Sequence, residues 1–183
     1  MPRYGPEYQA LRDKEIMDMR ARILQTARTL ARGSGWGSVS TRAIAQQMRC
    51  SAALIYTYFQ DKSELLRDLQ KQGLRELGAR MQGQNRAEEM SLALFDFALA
   101  QPELFALLTG QVEGCPPPAF DELNETCRPA WEFFGLHPRP GLSPEESYIR
   151  WWSLSYGFIL SSIAGMTGGI TESRGTLERL VHG

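Results

Sequence analysis

Side chains able to do acid–base, nucleophilic or metal chemistry are sparse in this chain and poorly placed for it. His137 sits in a Pro-rich stretch, His137-Pro138-Arg139-Pro140-Gly141, and His182 sits near the last residue; neither stands at ligand spacing from a second donor. There is no Glu-x-x-His pair of the kind that builds a metal centre in a helical bundle, no Gly-rich phosphate loop and no nucleophile motif. A helical-bundle enzyme is therefore poorly supported, and neither a metal nor a cofactor is expected. Cys50, Cys115 and Cys127 are odd in number, and no apolar signal segment precedes them, which fits a reducing cytoplasm. Cys50 reads as a small core residue, because no resolving partner or adjacent cation pattern marks it as a redox switch.

Charge points to binding instead. The net charge of −1 conceals an asymmetry: residues 1–62 hold ten Lys/Arg against five Asp/Glu (+5), and residues 63–183 hold ten against sixteen (−6). A basic head on an acidic body suggests that the head meets a polyanion. The uncharged stretch from Trp151 to Thr171 is long enough to span a bilayer. Its four serines and its ending in Gly165-Met166-Thr167-Gly168-Gly169 make it a buried core or dimer helix, so no membrane partner is expected.

The elements that must carry this chemistry are helical throughout. Residues 1–15 form a flexible or partly helical arm. Ile16, Met19, Ile23, Ala27 and Leu30 recur at helical spacing up to Arg32, and Gly33, Gly35 and Gly37 stop that helix. Ser40 caps a short helix to Met48, Arg49-Cys50 makes a tight corner, and Ser51 caps a second short helix to Phe59. Asp61-Lys62-Ser63-Glu64 opens a longer helix to Met81. Further helices are expected over Glu88–Gln101, Pro102–Thr109, Ala119–Phe134, Ser143–Gly165 and Glu172–Val181. No segment has the alternation of a strand, so the class is all-α. Three short helices with a tight corner between the last two have the layout of a DNA-binding helix-turn-helix. On the third, Ile55 and Phe59 share the inward face above Cys50, while Ala53, Leu54 and Thr57 point outward with Tyr56 on a flank. On the second, Ile44, Ala45 and Met48 face inward and Arg42 outward.

The runs Ser40-Thr41-Arg42-Ala43-Ile44-Ala45, Ser51, and Ile55-Tyr56-Thr57-Tyr58-Phe59-Gln60-Asp61-Lys62-Ser63-Glu64-Leu65-Leu66 resemble the tetracycline-repressor (TetR) family. The likeness implies a helix-turn-helix domain over 16–66 and a regulatory and dimerisation bundle over 67–183. It implies phosphate contacts from Tyr56 and Lys62, a guanine contact from Arg42, and phosphate contacts at the helix starts from Thr41 and Ser51. Ala52, Ala53 and Leu54 open the recognition helix without a side-chain donor, which leaves Ala53 or Leu54 to touch a thymine methyl. Specificity is then expected to rest on Arg42, Thr57 and DNA shape. Tyr58 stands open between a DNA contact and packing at the core edge. The sequence departs from the family at the corner, where Arg49 replaces the usual Gly. Positive φ is costly for Arg, so a looser turn is expected. The usual acid three residues after the cap is also missing, because position 43 is Ala.

The C-terminal half offers sensing and pairing. Phe95-x-Phe97-Ala98, Pro102-Glu103-Leu104-Phe105-x-Leu107-Leu108 and Trp152-x-x-x-Tyr156-Gly157 are similar to a WHG-type TetR regulatory domain, which has His where Tyr156 stands. Ser153, Gly157, Ser161 and Gly165, four apart, form a stripe of small residues that admits a second helix. With Leu177, Leu180 and Val181 it makes a candidate four-helix homodimer interface. The resemblance further implies a largely apolar small-molecule effector, for which Phe95, Leu99, Phe105, Trp131, Phe134, Trp152 and Tyr156 are candidate contacts, although aromatics at helical spacing are more often core. The expected function is a cytoplasmic repressor that leaves a palindromic double-stranded DNA operator when the effector binds. The rival is a degenerate relative acting through protein contacts, kept alive by Arg49, Ala52 and Ala53.

Overall fold

The computed structural model describes residues 5–182; residues 1–4 of the expected arm and the His182 side chain lie outside the described residues. Among these the chain is all-α, with no strand beyond one isolated bridge between Val112 and Cys115. The first helix, α1 (Pro6–Ser34), begins well before Ile16. Pro6 stands in its first turn, where a missing N–H costs nothing. No helix breaker follows, so the helix runs through the expected arm. Residues 7–18 are all exposed, because the apolar stripe meets the core only from Met19 onward. Gly35, at φ 76°, ends α1 by donating its N–H to the Ala31 carbonyl at 2.8 Å.

After a 3-10 turn at Trp36–Ser38 come α2 (Thr41–Met48), α3 (Ala52–Tyr58) and α4 (Lys62–Met81). Each opens on the cap residue read from the sequence. Ser40 accepts from the Ala43 N–H at 3.1 Å, Ser51 from Leu54 at 3.3 Å and Asp61 from Glu64 at 2.7 Å. Ile23, Ile44, Ile55 and Phe59, all fully buried, make the centre of the head. The long α4 leaves the head at Leu65 and Leu66 and enters the body through Leu69, Gly73, Leu77 and Met81.

The body comprises α5 (Ala87–Ala100), α6 (Pro102–Leu108), α7 (Phe120–Thr126), α8 (Arg128–Leu136), α9 (Pro144–Ile163) and α10 (Ile170–His182). α4 packs on α5 and α6, α8 packs on α9, and α10 packs on both α5 and α9. Head and body share one continuous apolar core. The single helix expected over Ala119–Phe134 is two, separated at Cys127. Pro129, in the first turn of α8, has no N–H to return to the preceding turn. α9 ends at Ile163 instead of Gly165, whose φ of 75° places it in the left-handed region beyond the helix. No single helix among the described residues is long and apolar enough to cross a membrane.

Candidate nucleic-acid interface

The corner between α2 and α3 is tight, contrary to the expectation of a looser turn. Arg49 adopts φ 55°, ψ 44°, and is the only non-glycine residue with positive φ among those described. The Cys50 N–H donates to the Ala45 carbonyl at 2.9 Å and the Arg49 N–H to Gln46 at 3.1 Å. These are the carbonyls that a glycine corner would also satisfy. The backbone thus keeps the geometry that glycine favours, and arginine bears the steric cost.

That corner sets α3 against α2 so that their outer faces adjoin. The Thr41 hydroxyl and the Tyr56 phenol lie 3.2 Å apart in a hydrogen bond, which joins the start of α2 to the flank of α3. Tyr56 is 56% exposed although apolar in bulk. Arg42, Ser51, Ala53 and Thr57 are exposed. The Thr57 hydroxyl donates to the Ala53 carbonyl at 3.2 Å. Ala52 and Leu54 are half-buried, as is Tyr58, which packs against the core. Lys62, half-buried at the start of α4, donates to the Trp36 carbonyl at 3.4 Å and so sits at the 3-10 turn that follows α1. Thr41, Arg42 and Tyr56 therefore stand together, with Ser51 at the entry to α3. Their hydroxyl and guanidinium groups are of the kind that contact phosphates and base edges.

Residues that the sequence reading did not single out hold this surface in place. Arg20 of α1 stacks on Phe59, 4.1 Å from the ring centre, and donates to the Tyr58 carbonyl. It also pairs with Glu64 at 3.0 Å and Asp68 at 2.6 Å, so one guanidinium ties the end of α3 to α4. The Glu64 carboxyl is held below its ordinary pKa, first by the Gln60 N–H at 2.7 Å and then by Arg20. A second knot joins head to body. The buried Glu103, at the start of α6, accepts from Arg28 at 3.4 Å and from Arg32 at 2.9 Å. Gln101 accepts from both arginines at 2.6 Å, Glu76 pairs with Arg28 at 2.9 Å, and the Trp36 indole donates to the Glu103 carbonyl at 3.0 Å. The available signal was Arg28 itself, a cation beside Ala27 on the buried stripe of α1, which requires a partner.

The expected effector contacts divide into two groups. Trp152 and Tyr156 are half-buried and stacked at 6.4 Å, with Phe105 6.1 Å from Tyr156. Phe134 lies 6.1 Å from Trp151, and Trp131, 41% exposed, meets Tyr148 edge-on. Phe95, Phe105 and Phe134 are fully buried and Leu99 half-buried. The described surface has clefts lined by Leu24, Gln72 and Arg75 between α1 and α4, and by Met90, Phe133 and His137 near α8. Phe105, Tyr156 and Trp152 thus pack against one another, while Phe134 and Trp131 pack on Trp151 and Tyr148.

Of the candidate pairing residues, Ser153 and Gly157 are exposed on α9, Ser161 is half-buried, and Leu180 is 44% exposed. Three need correction. Leu177 and Val181 are buried within the subunit, because α10 turns that face toward α5 and α9. Gly165 lies past the end of α9 and cannot extend its stripe.

Residues 23–69 match the family described as bacterial regulatory proteins, tetR family. No curated protein sequence matches the chain. The fold recurs in solved structures. A protein described as regulatory, SCO4313, has a TM-score of 0.73 at 20% identity, over 92% of this chain and 95% of its own. SCO4942 of Streptomyces coelicolor, described as a transcriptional regulator, has 0.69 at 20%, over 89% and 96%. A TetR variant of Acinetobacter baumannii, solved in complex with minocycline, has 0.59 at 20%, over 87% and 92%. At such identities the likeness is one of fold. Residues 23–69 thus match the sequence of the tetR family of bacterial regulatory proteins, and the chain along its length has the fold of these solved structures.

Proposed function

We propose that the protein is a repressor that binds a palindromic operator as a homodimer and is released when a small, largely apolar ligand enters the body. The observation that carries this reading is the adjoining surface of Thr41, Arg42 and Tyr56 on a head of net charge +5. Two such heads, related by a two-fold axis, would read two half-sites about one helical turn or more apart. Arg42 would read guanine, and Tyr56, Lys62, Thr41 and Ser51 would hold phosphate. Ala52, Ala53 and Leu54 would lie along the groove with Thr57, and Tyr58 would lie at the margin. The exposed face of α9 at Ser153 and Gly157, flanked by Leu180, is the surface offered for pairing.

Release requires that the body move the head, and two links support this. α4 is a member of both. Gln70 of α4 donates to the Leu107 and Pro116 carbonyls at 3.1 and 2.9 Å, so α4 follows the end of α6. Glu103 ties the start of α6 to Arg28 and Arg32 of α1. A ligand that parts Phe105 from the stacked Trp152–Tyr156 pair would displace α6 and, through these links, both α1 and α4. The minocycline held by the Acinetobacter protein sits in a fold of this kind.

The experiment is selection from a random-sequence duplex pool in moderate salt. Enrichment of a palindrome is the expected outcome, and compounds are then screened for its release. Salt-sensitive retention without enrichment would leave only a basic head and favour action through protein contacts.

A further inference from the structure

The strain at Arg49 points to a DNA contact that neither the family pattern nor the fold assigns. Arginine at φ 55° costs more than the glycine that usually occupies this corner, and the surrounding fold does not use the side chain: it is exposed and makes no hydrogen bond or ion pair among the described residues. The arginines that face the head core, Arg20 and Arg28, are by contrast fully engaged. A conformational penalty that returns no contact within the subunit marks a residue whose partner lies outside it. The position says which partner. Arg49 closes α2 and leads through Cys50 into Ser51 and the first turn of α3, the end of a recognition helix that enters the major groove. The opening of α3, Ala52-Ala53-Leu54, supplies no side-chain donor.

We infer that Arg49 is a further DNA-binding residue, whose guanidinium contacts a backbone phosphate at the rim of the groove entered by α3, and so replaces in part the donors that α3 lacks. The inference rests on the DNA-binding reading above. It makes a prediction of unusual form, since one substitution should move stability and affinity in opposite directions.

The test compares the wild type with Arg49→Gly and Arg49→Lys in thermal unfolding and in binding to a random-sequence duplex across a salt series. Arg49→Gly keeps the left-handed corner at no steric cost, so its Tm should rise by about 2–4 °C. Its affinity should fall on the order of five- to tenfold, and the slope of log K against log salt should lessen by about 0.9, the loss of one phosphate contact. Arg49→Lys, equally strained and equally charged, should retain most of the affinity and the full slope. An Arg49→Gly protein with wild-type affinity and slope would overturn the inference while leaving the DNA-binding reading intact. A loss confined to an enriched operator and absent on random sequence would overturn the phosphate role in favour of base readout. A wild type that retains no duplex at all would remove the reading itself.

Discussion

Tyr56 is the residue whose chemistry and position are most at odds with burial. It is more than half exposed, and its hydroxyl makes a single polar contact among the described residues, to Thr41 at the start of α2. Tyr56→Phe removes a hydroxyl that no core group depends on, so thermal stability should change by under about 0.5 kcal/mol. Duplex affinity should fall severalfold, as measured by fluorescence anisotropy, and an unchanged affinity would reduce Tyr56 to a packing residue. Arg42, exposed and unengaged among the described residues, should behave differently. If it reads guanine, Arg42→Ala should flatten discrimination among operator point mutants by about 1–3 kcal/mol at one base pair, beyond its effect on overall affinity. An Arg42→Ala protein that ranks the same mutants in the same order and by the same margins would end that role. At this scale the sequence was legible wherever a residue's role was local. Ser40, Ser51 and Asp61 were recognisable as caps because a cap bonds to a backbone three residues away. Arg20 and Glu103 were not, since their partners lie 38 to 75 residues off and only the fold brings them together.

Two of these distant links govern whole elements. The start of α4 is fixed by Asp61, by Glu64 and by Arg20, and the depressed Glu64 pKa gives this a pH signature. A carboxyl whose folded pKa lies below its unfolded value near 4.5 stabilises the protein above that value and ceases to do so as pH falls through the folded one. The stability gap between wild type and Glu64→Gln should therefore be full at neutral pH and close progressively below about pH 4.5. A gap that stays constant down the acid limb of a melting series would show that Glu64 contributes through shape alone. The α1–α6 knot should respond to Glu103→Ala by a loss of about 2–4 kcal/mol in denaturant unfolding, because Arg28 is left buried with only Glu76 and Gln101 to satisfy it. A loss under about 0.5 kcal/mol would mean that the arginines simply turn to solvent. The helices themselves were largely readable from periodicity. The break at Cys127 escaped because Pro129 also suits the first turn of a new helix, and periodicity alone cannot separate a kink from a restart. The extension of α1 to Pro6 was only partly readable for the opposite reason: residues 7–18 are exposed, and the spacing that marks the buried stripe begins only at Ile16.

For the molecule as a whole, a homodimer would have to set two basic heads at groove spacing, and the outer face of α9 bears on this directly. Ile149, Ser153 and Gly157 are exposed in succession along it, with Ile149 47% exposed and Leu180 of α10 44% exposed. A Cβ placed on Gly157 would meet nothing within 4 Å of the subunit's own atoms. That emptiness makes the position a clean probe. Glycine within a helix costs about 1 kcal/mol relative to a good helix former, so Gly157→Leu should leave the isolated subunit as stable as before or slightly more so. If a second α9 approaches along this face, however, the added side chain fills the space it needs. Sedimentation should then find a monomer where the wild type is a dimer, with far-ultraviolet circular dichroism unchanged. Affinity for a palindromic duplex should collapse toward that for a single half-site, because linking two heads is what multiplies their affinities. Gly157→Ala, whose methyl is the smallest intrusion available, should fall between. A Gly157→Leu protein that remains dimeric and holds its palindrome at wild-type affinity would move the two-fold axis off this face of α9.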